Sequence, residues 1–287
     1  MGARVNPAAR TWFVTGSSAG LGRALVTQLL ARGETVAATA RDPAALADLR
    51  GPSGEPPWTA RLDVTEPDRI RQVVDDAVAA LGRIDVAVSN AGYGLFGAAE
   101  EATDEQIERQ IRTNLTGPIQ LARALLPHLR AQGGGRIIQI SSVGGQCTVP
   151  GMAVYHATKW GVEGFFESLA AEVKGFGIGV TIVEPGAVRT DFTGRSRQMT
   201  AESPAYRGTP AAAVRRTVES RFARYPGDLA KTAAAIIDAA GPAAPLRLAL
   251  GSDAYLLIRD GLTARLTELA NQKDVAMSTD TRRGTPA

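Results

Sequence analysis

Near its start the chain passes from a strand through glycines into a helix. Thr11–Thr15 (TWFVT) is rich in aromatic and β-branched residues and reads as a strand. Gly16–Gly22 (GSSAGLG) follows at once, and a helical pattern runs from Arg23 to Ala31 until Gly33 stops it. This junction constrains the fold more than any other stretch. A strand handed straight to a helix crosses the sheet, and the next strand comes back parallel to the first. It also aims backbone N–H groups and a helix N-terminus at one point, an arrangement suited to a phosphate.

The rest of the chain repeats the alternation. Further strands are expected at Glu34–Thr39, Trp58–Leu62, Ile84–Val88, Arg136–Ser141, Val180–Glu184 and Leu246–Leu250. Ile84–Val88 is continuously apolar, as strands covered on both faces are. Between them, Asp42-Pro43 reads as a helix cap with proline at the first position, and Thr65 and Asp68 frame a helix with apolar residues at Ile70, Val73, Val74, Ala77 and Val78. Thr103 and Gln106 form a capping box for a long helix to about Arg130, strained near Pro118 and Pro127. A last helix is expected from about Asp253 to Ala270. The implied fold is α/β: a doubly wound parallel sheet of about seven strands flanked by helices, in one domain spanning 1–287. Residues 188–225 read as a polar, arginine-rich insertion on the substrate side, and 272–287 as a disordered tail.

Composition excludes several classes. No apolar run approaches the length of a membrane span, and the N-terminus lacks the apolar core of a secretory signal. One cysteine, Cys147, cannot make a disulfide framework and fits a reducing cytoplasm. Only His128 and His156 are available, so no His-rich metal site is expected. A net charge of +3 over 287 residues, with no nucleic-acid motif, gives no reason to expect a nucleic-acid partner.

The stretch Ser142–Lys159 carries the chemistry. Tyr155 and Lys159 stand four apart, so on a helix the phenol and the ammonium share a face, with Ser142 13 positions before the tyrosine. A tyrosine of ordinary pKa, ~10, is a poor proton donor at neutral pH, and a nearby cation is expected to lower it. Gly16–Gly20 also fits G-x-S-x-G, the nucleophile turn of a serine hydrolase. That chemistry needs a histidine late in the chain. His128 lies in a long helix, and His156 adjoins Tyr155 and points about 100° away from it.

Taken together, these residues make the sequence resemble the short-chain dehydrogenase/reductase family over nearly its whole length, NADP-dependent carbonyl reductases in particular. Thr15–Gly22 resembles its cofactor loop, implying Gly16, Ser17, Ser18, Gly20, Leu21 and Gly22 as cofactor-binding residues. Asp63-Val64 resembles its adenine-contacting pair, and Asn90-Ala91-Gly92 the segment supporting the sheet and ribose. Pro185-Gly186, Val188 and Thr190 resemble the segment beside the nicotinamide. Asn114, Ser142, Tyr155 and Lys159 match the catalytic four. The resemblance implies Tyr155 as general acid/base and Lys159 as the group that depresses its pKa and holds the nicotinamide ribose. Ser142 would orient the substrate oxygen, and Asn114 would hold a water that links Lys159 to solvent. At the end of the second strand, where NAD sites place an acid, the chain has Ala40 and then Arg41, so NADP(H) is expected over NAD(H). The implied partner is a small carbonyl or alcohol substrate, fairly apolar given Phe192, Met199, Tyr206 and Phe222, and a homodimer or homotetramer is expected. A non-catalytic dinucleotide-binding regulator on the same fold is the remaining alternative. Such proteins usually lack the tyrosine or the lysine, and both are here.

Overall fold

Strands that are apolar on both faces need cover on both. The computed structural model describes residues 9–188, 196–223 (backbone only for 217–223) and 227–280. In chain order the elements are β1 (Thr11–Thr15), α1 (Gly20–Ala31), β2 (Thr35–Ala40), β3 (Trp58–Arg61), α2 (Pro67–Leu81) and β4 (Val86–Ser89). Then come β5 (Gly94–Phe96), α3 (Asp104–Ile111), α4 (Gly117–Ala131), β6 (Gly135–Ile140), α5 (Ala153–Val173) and β7 (Ile178–Pro185). The chain ends with β8 (Arg197–Met199), α6 (Pro210–Ala223), α7 (Leu229–Asp238), β9 (Arg247–Leu250), α8 (Ser252–Ala270) and α9 (Lys273–Ser278).

Seven strands form one sheet in the order β3-β2-β1-β4-β6-β7-β9, and every pairing in it is parallel. Phe13, Ala87, Ile137 and Ile182 turn to one face, where α2, α4 and α5 cover them through Val73, Leu125 and Phe166. Trp12, Val14, Val88 and Ile138 turn to the other, under Leu25 and Leu29 of α1 and Ile236 of α7. The strand order reverses between β1 and β4. Their carboxyl ends therefore diverge into a crevice, where sheets of this kind bind ligands.

Three expectations need revision, and a fourth gains detail. The helix foreseen from Thr103 to about Arg130 is two helices, α3 and α4, joined by one π-helical turn at Arg112–Thr116; Gly117 and Pro118 open the second. Asp42 caps only a short 3-10 turn, Pro43–Leu46, by accepting from the Ala44 N–H. The tail expected to be disordered from residue 272 instead contains α9, which continues from α8 through Gln272 N–H to Leu269 O and Ala276 N–H to Gln272 O. The segment read as a polar insertion holds α6 and a strand, β8, which pairs in parallel with β5 as a separate two-stranded sheet.

Candidate active site

The glycine turn forms the floor of the crevice. Gly16 has φ +68°, a conformation open mainly to glycine. A Cβ on Gly22 would lie 2.3 Å from Gly16 O and 2.5 Å from Asn90 Nδ2. Gly22 therefore lets α1 close against the turn and does not itself face the cleft. Ser17 also points inward: it is fully buried, its hydroxyl donates to Val14 O at 2.9 Å and its N–H to Thr39 O. Gly16, Ser18, Gly20 and Leu21 line the cleft. Ala19 precedes α1 without a side-chain cap, and the first turn has no acidic residue. The helix N-terminus is left with unpaired donors, so an anionic ligand would meet the positive end of its dipole.

The neighbouring strand ends complete one wall. Asn90 Nδ2 donates to Thr15 O at 2.9 Å and Gly16 O at 3.2 Å, and the Asn90 and Ala91 N–H groups donate to Thr15 Oγ1, tying the end of β4 to that of β1. Asp63 Oδ1 accepts from Thr65 N–H and Oγ1, which fixes the turn after β3. Ala40, Arg41, Asp63, Val64, Asn90, Ala91 and Gly92 all line the cleft. Arg41 is exposed and, among the described residues, forms no ion pair; the neighbouring acid, Asp42, is committed to its cap. Pro185, Gly186 and Val188 lie on the opposite wall, and Thr190 falls outside the described residues.

The catalytic candidates stand between these walls, and Ser142, Tyr155 and Lys159 all line a cleft of about 970 Å³. Ser142 Oγ accepts the Gly144 N–H at 3.0 Å. Lys159 Nζ sits 5.7 Å from the centre of the Tyr155 ring and donates to Ile140 O at 3.0 Å. Asn114 is placed by the π turn but is buried behind the cleft. Its amide donates to Tyr93 O at 2.8 Å and its Oδ1 accepts the Tyr93 N–H at 3.1 Å. The side chain thus props the Gly92-Tyr93 segment.

The expected lowering of the Tyr155 pKa is not what the chain's own residues produce. Burial pushes it up to about 12, and the nearby Ser142 hydroxyl draws it down only in part. Burial also brings Lys159 down to about 8, opposed by the charge of Glu163. Desolvation disfavours both charged forms, and the ammonium is bonded to a carbonyl instead of to the phenol.

Further residues shape the cleft. His156, beside Tyr155, is buried; one ring nitrogen meets Gly144 O at 2.9 Å and the other accepts the Val149 N–H at 3.0 Å. Burial lowers its pKa, so the ring is neutral and clamps the loop after Ser142 to α5. Asp253 reaches the cleft from the far end of the chain: its Oδ2 accepts the Ala187 N–H at 2.8 Å, and its Oδ1 lies 2.1 Å from where a Gly186 Cβ would stand. The apolar lining comes from Phe96, Val149, Met152, Val214 and Leu257. Met199 and Tyr206 are not part of it, and the positions of the Phe192 and Phe222 side chains lie outside the described residues.

The hydrolase arrangement is not formed. His128 bonds Asp75 at 2.7 Å on the surface and His156 is held by the Gly144–Val149 loop, so neither serves the serines of the glycine turn.

Known proteins share this fold. The short chain dehydrogenase family profile matches residues 10–201. The chain belongs to that family. It is 39% identical over 249 residues to the oxidoreductase BOA17 of Botryotinia fuckeliana, covering 85% of this chain and 90% of that one. A short-chain dehydrogenase from Streptomyces avermitilis superposes with a TM-score of 0.88 at 42% identity, over 96% of this chain and all of the other. A metagenomic short-chain oxidoreductase in complex with NADP matches at TM-score 0.59 and 35% identity over 63% of this chain and 83% of its own. A Burkholderia phymatum family member in complex with NAD shares the fold at TM-score 0.74 and 19% identity, over 97% and 98%. The chain is therefore an oxidoreductase of this family. No described helix is long and apolar enough to cross a membrane.

Proposed function

We propose that the protein is an NADP(H)-preferring carbonyl reductase in which Tyr155 gives its proton to the substrate oxygen. The observation that carries this reading is the convergence of Ser142, Tyr155 and Lys159 on the cleft that begins at the glycine turn. The residues fit the cofactor. The uncapped start of α1 would hold its diphosphate, Asp63 and Val64 its adenine, and Arg41 a 2′-phosphate, for which a guanidinium fork is suited. When bound, the reduced nicotinamide supplies the hydride.

The protein's part is to bind, orient and deliver a proton. Ser142 Oγ accepts the Gly144 N–H and carries a proton that it can turn from Tyr155 to a substrate carbonyl. Burial pushes the Tyr155 pKa up to about 12 and so favours the protonated phenol, which is the form reduction requires. It can still act as the acid, because a developing alkoxide is a stronger base than a phenolate. Lys159 supplies positive charge beside the phenolate left behind. Phe96, Val149, Met152, Val214 and Leu257 favour a fairly apolar carbonyl compound.

Tyr155→Phe tests this reading, with NADPH oxidation followed across a panel of ketones and aldehydes. The ring still packs and only the proton is lost, so kcat should fall ~10²–10⁴-fold while NADPH binding stays within a few-fold. A variant keeping more than about a tenth of wild-type kcat would exclude Tyr155 as the acid. Wild-type protein that binds NADPH and reduces nothing in the panel would favour the regulator.

A further inference from the structure

Tyr155, Lys159, Glu163 and Glu167 fall four apart along one side of α5, and the first three are buried. Nothing in the proposed mechanism uses Glu163, yet it is a carboxylate only 4% exposed, one helical turn beyond the lysine. Its partners come from three other parts of the fold. Arg247 on β9 reaches Glu163 Oε2 through Nε at 3.0 Å, and gives its two terminal nitrogens to Glu167 at 3.3 and 2.9 Å. Glu184 on β7, 2% exposed, lies 3.5 Å from the same Nε. Gln146, from the loop after Ser142, donates to Glu184 at 3.0 Å and Glu163 at 3.4 Å, and Arg265 of α8 holds its carbonyl at 3.4 Å. The other Glu163 oxygen, Oε1, is buried with no hydrogen-bond partner, as is Ser141 Oγ nearby; each lies 2.8 Å from where a Gly145 Cβ would be.

The charges in this cage do not cancel locally. Arg247 faces three carboxylates and spends its bidentate fork on the exposed Glu167. Glu184 relieves part of the excess by holding its proton to about pH 7, because it is buried and Glu163 is beside it. Only Oε2 of Glu163 meets donors, from Arg247 and Gln146. The cation one turn away along α5 is Lys159, whose charge burial disfavours and Glu163 supports in part.

We propose that Glu163 is a positioning residue for catalysis: caged by Arg247, Gln146 and Glu184, its charge keeps the Lys159 ammonium charged beside Tyr155. This rests on the reading of Lys159 as the cation that serves Tyr155. The test need not rest on it.

The chain has four lysines, Lys159, Lys174, Lys231 and Lys273, so ¹³Cε-lysine labelling lets NMR follow the titration of Lys159 directly. Glu163→Gln keeps the shape and removes the charge. It should lower the Lys159 midpoint by about one pH unit, carry the alkaline limb of kcat/KM down with it, and leave the other lysines in place. Glu163→Asp, with the carboxylate drawn back, should fall in between. In wild type a smaller, lower inflection should accompany the titration of Glu184, and Glu184→Gln should abolish it. A Lys159 midpoint within about 0.2 units of wild type in both Glu163 variants overturns the proposal. If neither variant folds, the absence of the lower inflection in wild type overturns it. Lysine titration needs no turnover, which separates the two readings. A shifted midpoint in a protein that reduces no carbonyl refutes the reductase and spares Glu163. An unmoved midpoint in a working reductase does the reverse.

Discussion

The wall of the substrate cleft is fastened by the ion pair between Glu101 and Arg215, whose Nε also lies 3.7 Å from the exposed Glu202. Glu101 accepts from Ala98 N–H at 2.9 Å, Ser203 N–H at 2.8 Å, Thr200 Oγ1 at 3.1 Å and Arg215 at 2.8 Å. Arg215 also donates to Thr200 O and Oγ1, both at 2.7 Å. The side chains are 5% and 12% exposed. This knot fastens the β8–α6 segment to β5 and the stretch after it, and the two together supply Phe96, Gln198 and Val214 to the cleft. None of its members touches the glycine turn. Loosening it should therefore change substrate binding and spare the cofactor.

The size of the effect follows from the bonds. Glu101→Gln keeps an acceptor but turns a charge-assisted contact into a neutral one, a change from about 1.5–3 to about 0.5–1.5 kcal/mol. The loss is therefore about 1–2 kcal/mol. If all of it falls on the form that binds substrate, KM rises about 5- to 30-fold. Glu101→Ala strands two backbone donors and takes from Arg215 its nearer carboxylate, leaving it Thr200 and Glu202, and should cost about 3–5 kcal/mol. That is enough to unlatch the lobe while the seven-stranded sheet keeps its own core. The assay is steady-state kinetics on the best ketone, alongside NADPH titration by fluorescence and thermal unfolding. An unchanged KM in Glu101→Gln, or a weakening of NADPH equal to that of the substrate, refutes the latch.

Two further outcomes are expected. Arg41→Ala should lower kcat/KM for NADPH roughly 10- to 150-fold, the value of one charge-assisted contact, and barely move the NADH value; adding Ala40→Asp should carry the preference toward NADH, and equal weakening of both cofactors would sink the NADP assignment. Glu184 has its folded pKa raised to about 7 from an ordinary 4.5, so between those values the folded chain holds a proton that the unfolded chain releases, and stability is lost as pH rises through that window. Glu184→Gln removes this loss, so its Tm relative to wild type should climb from pH 4.5 to pH 7 and then level off; a flat or falling difference across that range would contradict the raised pKa.

The main sheet was legible because its signals are local. Seven apolar runs, each closed by a turn residue or a cap, are enough to order a parallel sheet, and the glycine turn marks where its crevice opens. What stayed hidden depends on residues far apart in the chain. β5 and β8 are three residues each, Gly-Leu-Phe and Arg-Gln-Met, too short for any periodicity, and become strands only by pairing with each other. Glu101 and Arg215 stand 114 positions apart, and each alone reads as an ordinary surface charge. Asp253 read simply as the start of the last helix, and nothing nearby told that its carboxylate would fill the space a Gly186 side chain would have taken.

The candidate site shows the same division with more at stake. Spacing alone placed a phenol and an ammonium on one helical face, and that part of the site is where the sequence put it. Spacing says nothing about water. Once β6 and the Ser142 loop close over α5, Tyr155 and Lys159 are both buried, and removal of solvent acts on each more strongly than either acts on the other. Proximity would have lowered the tyrosine and raised the lysine; burial has done the opposite to both. For the lysine, part of that is offset within the chain by the carboxylate of Glu163, fixed by Arg247 84 residues away. Which residues meet is written in the local pattern. Which of them are ionised is decided by what the rest of the fold packs around them.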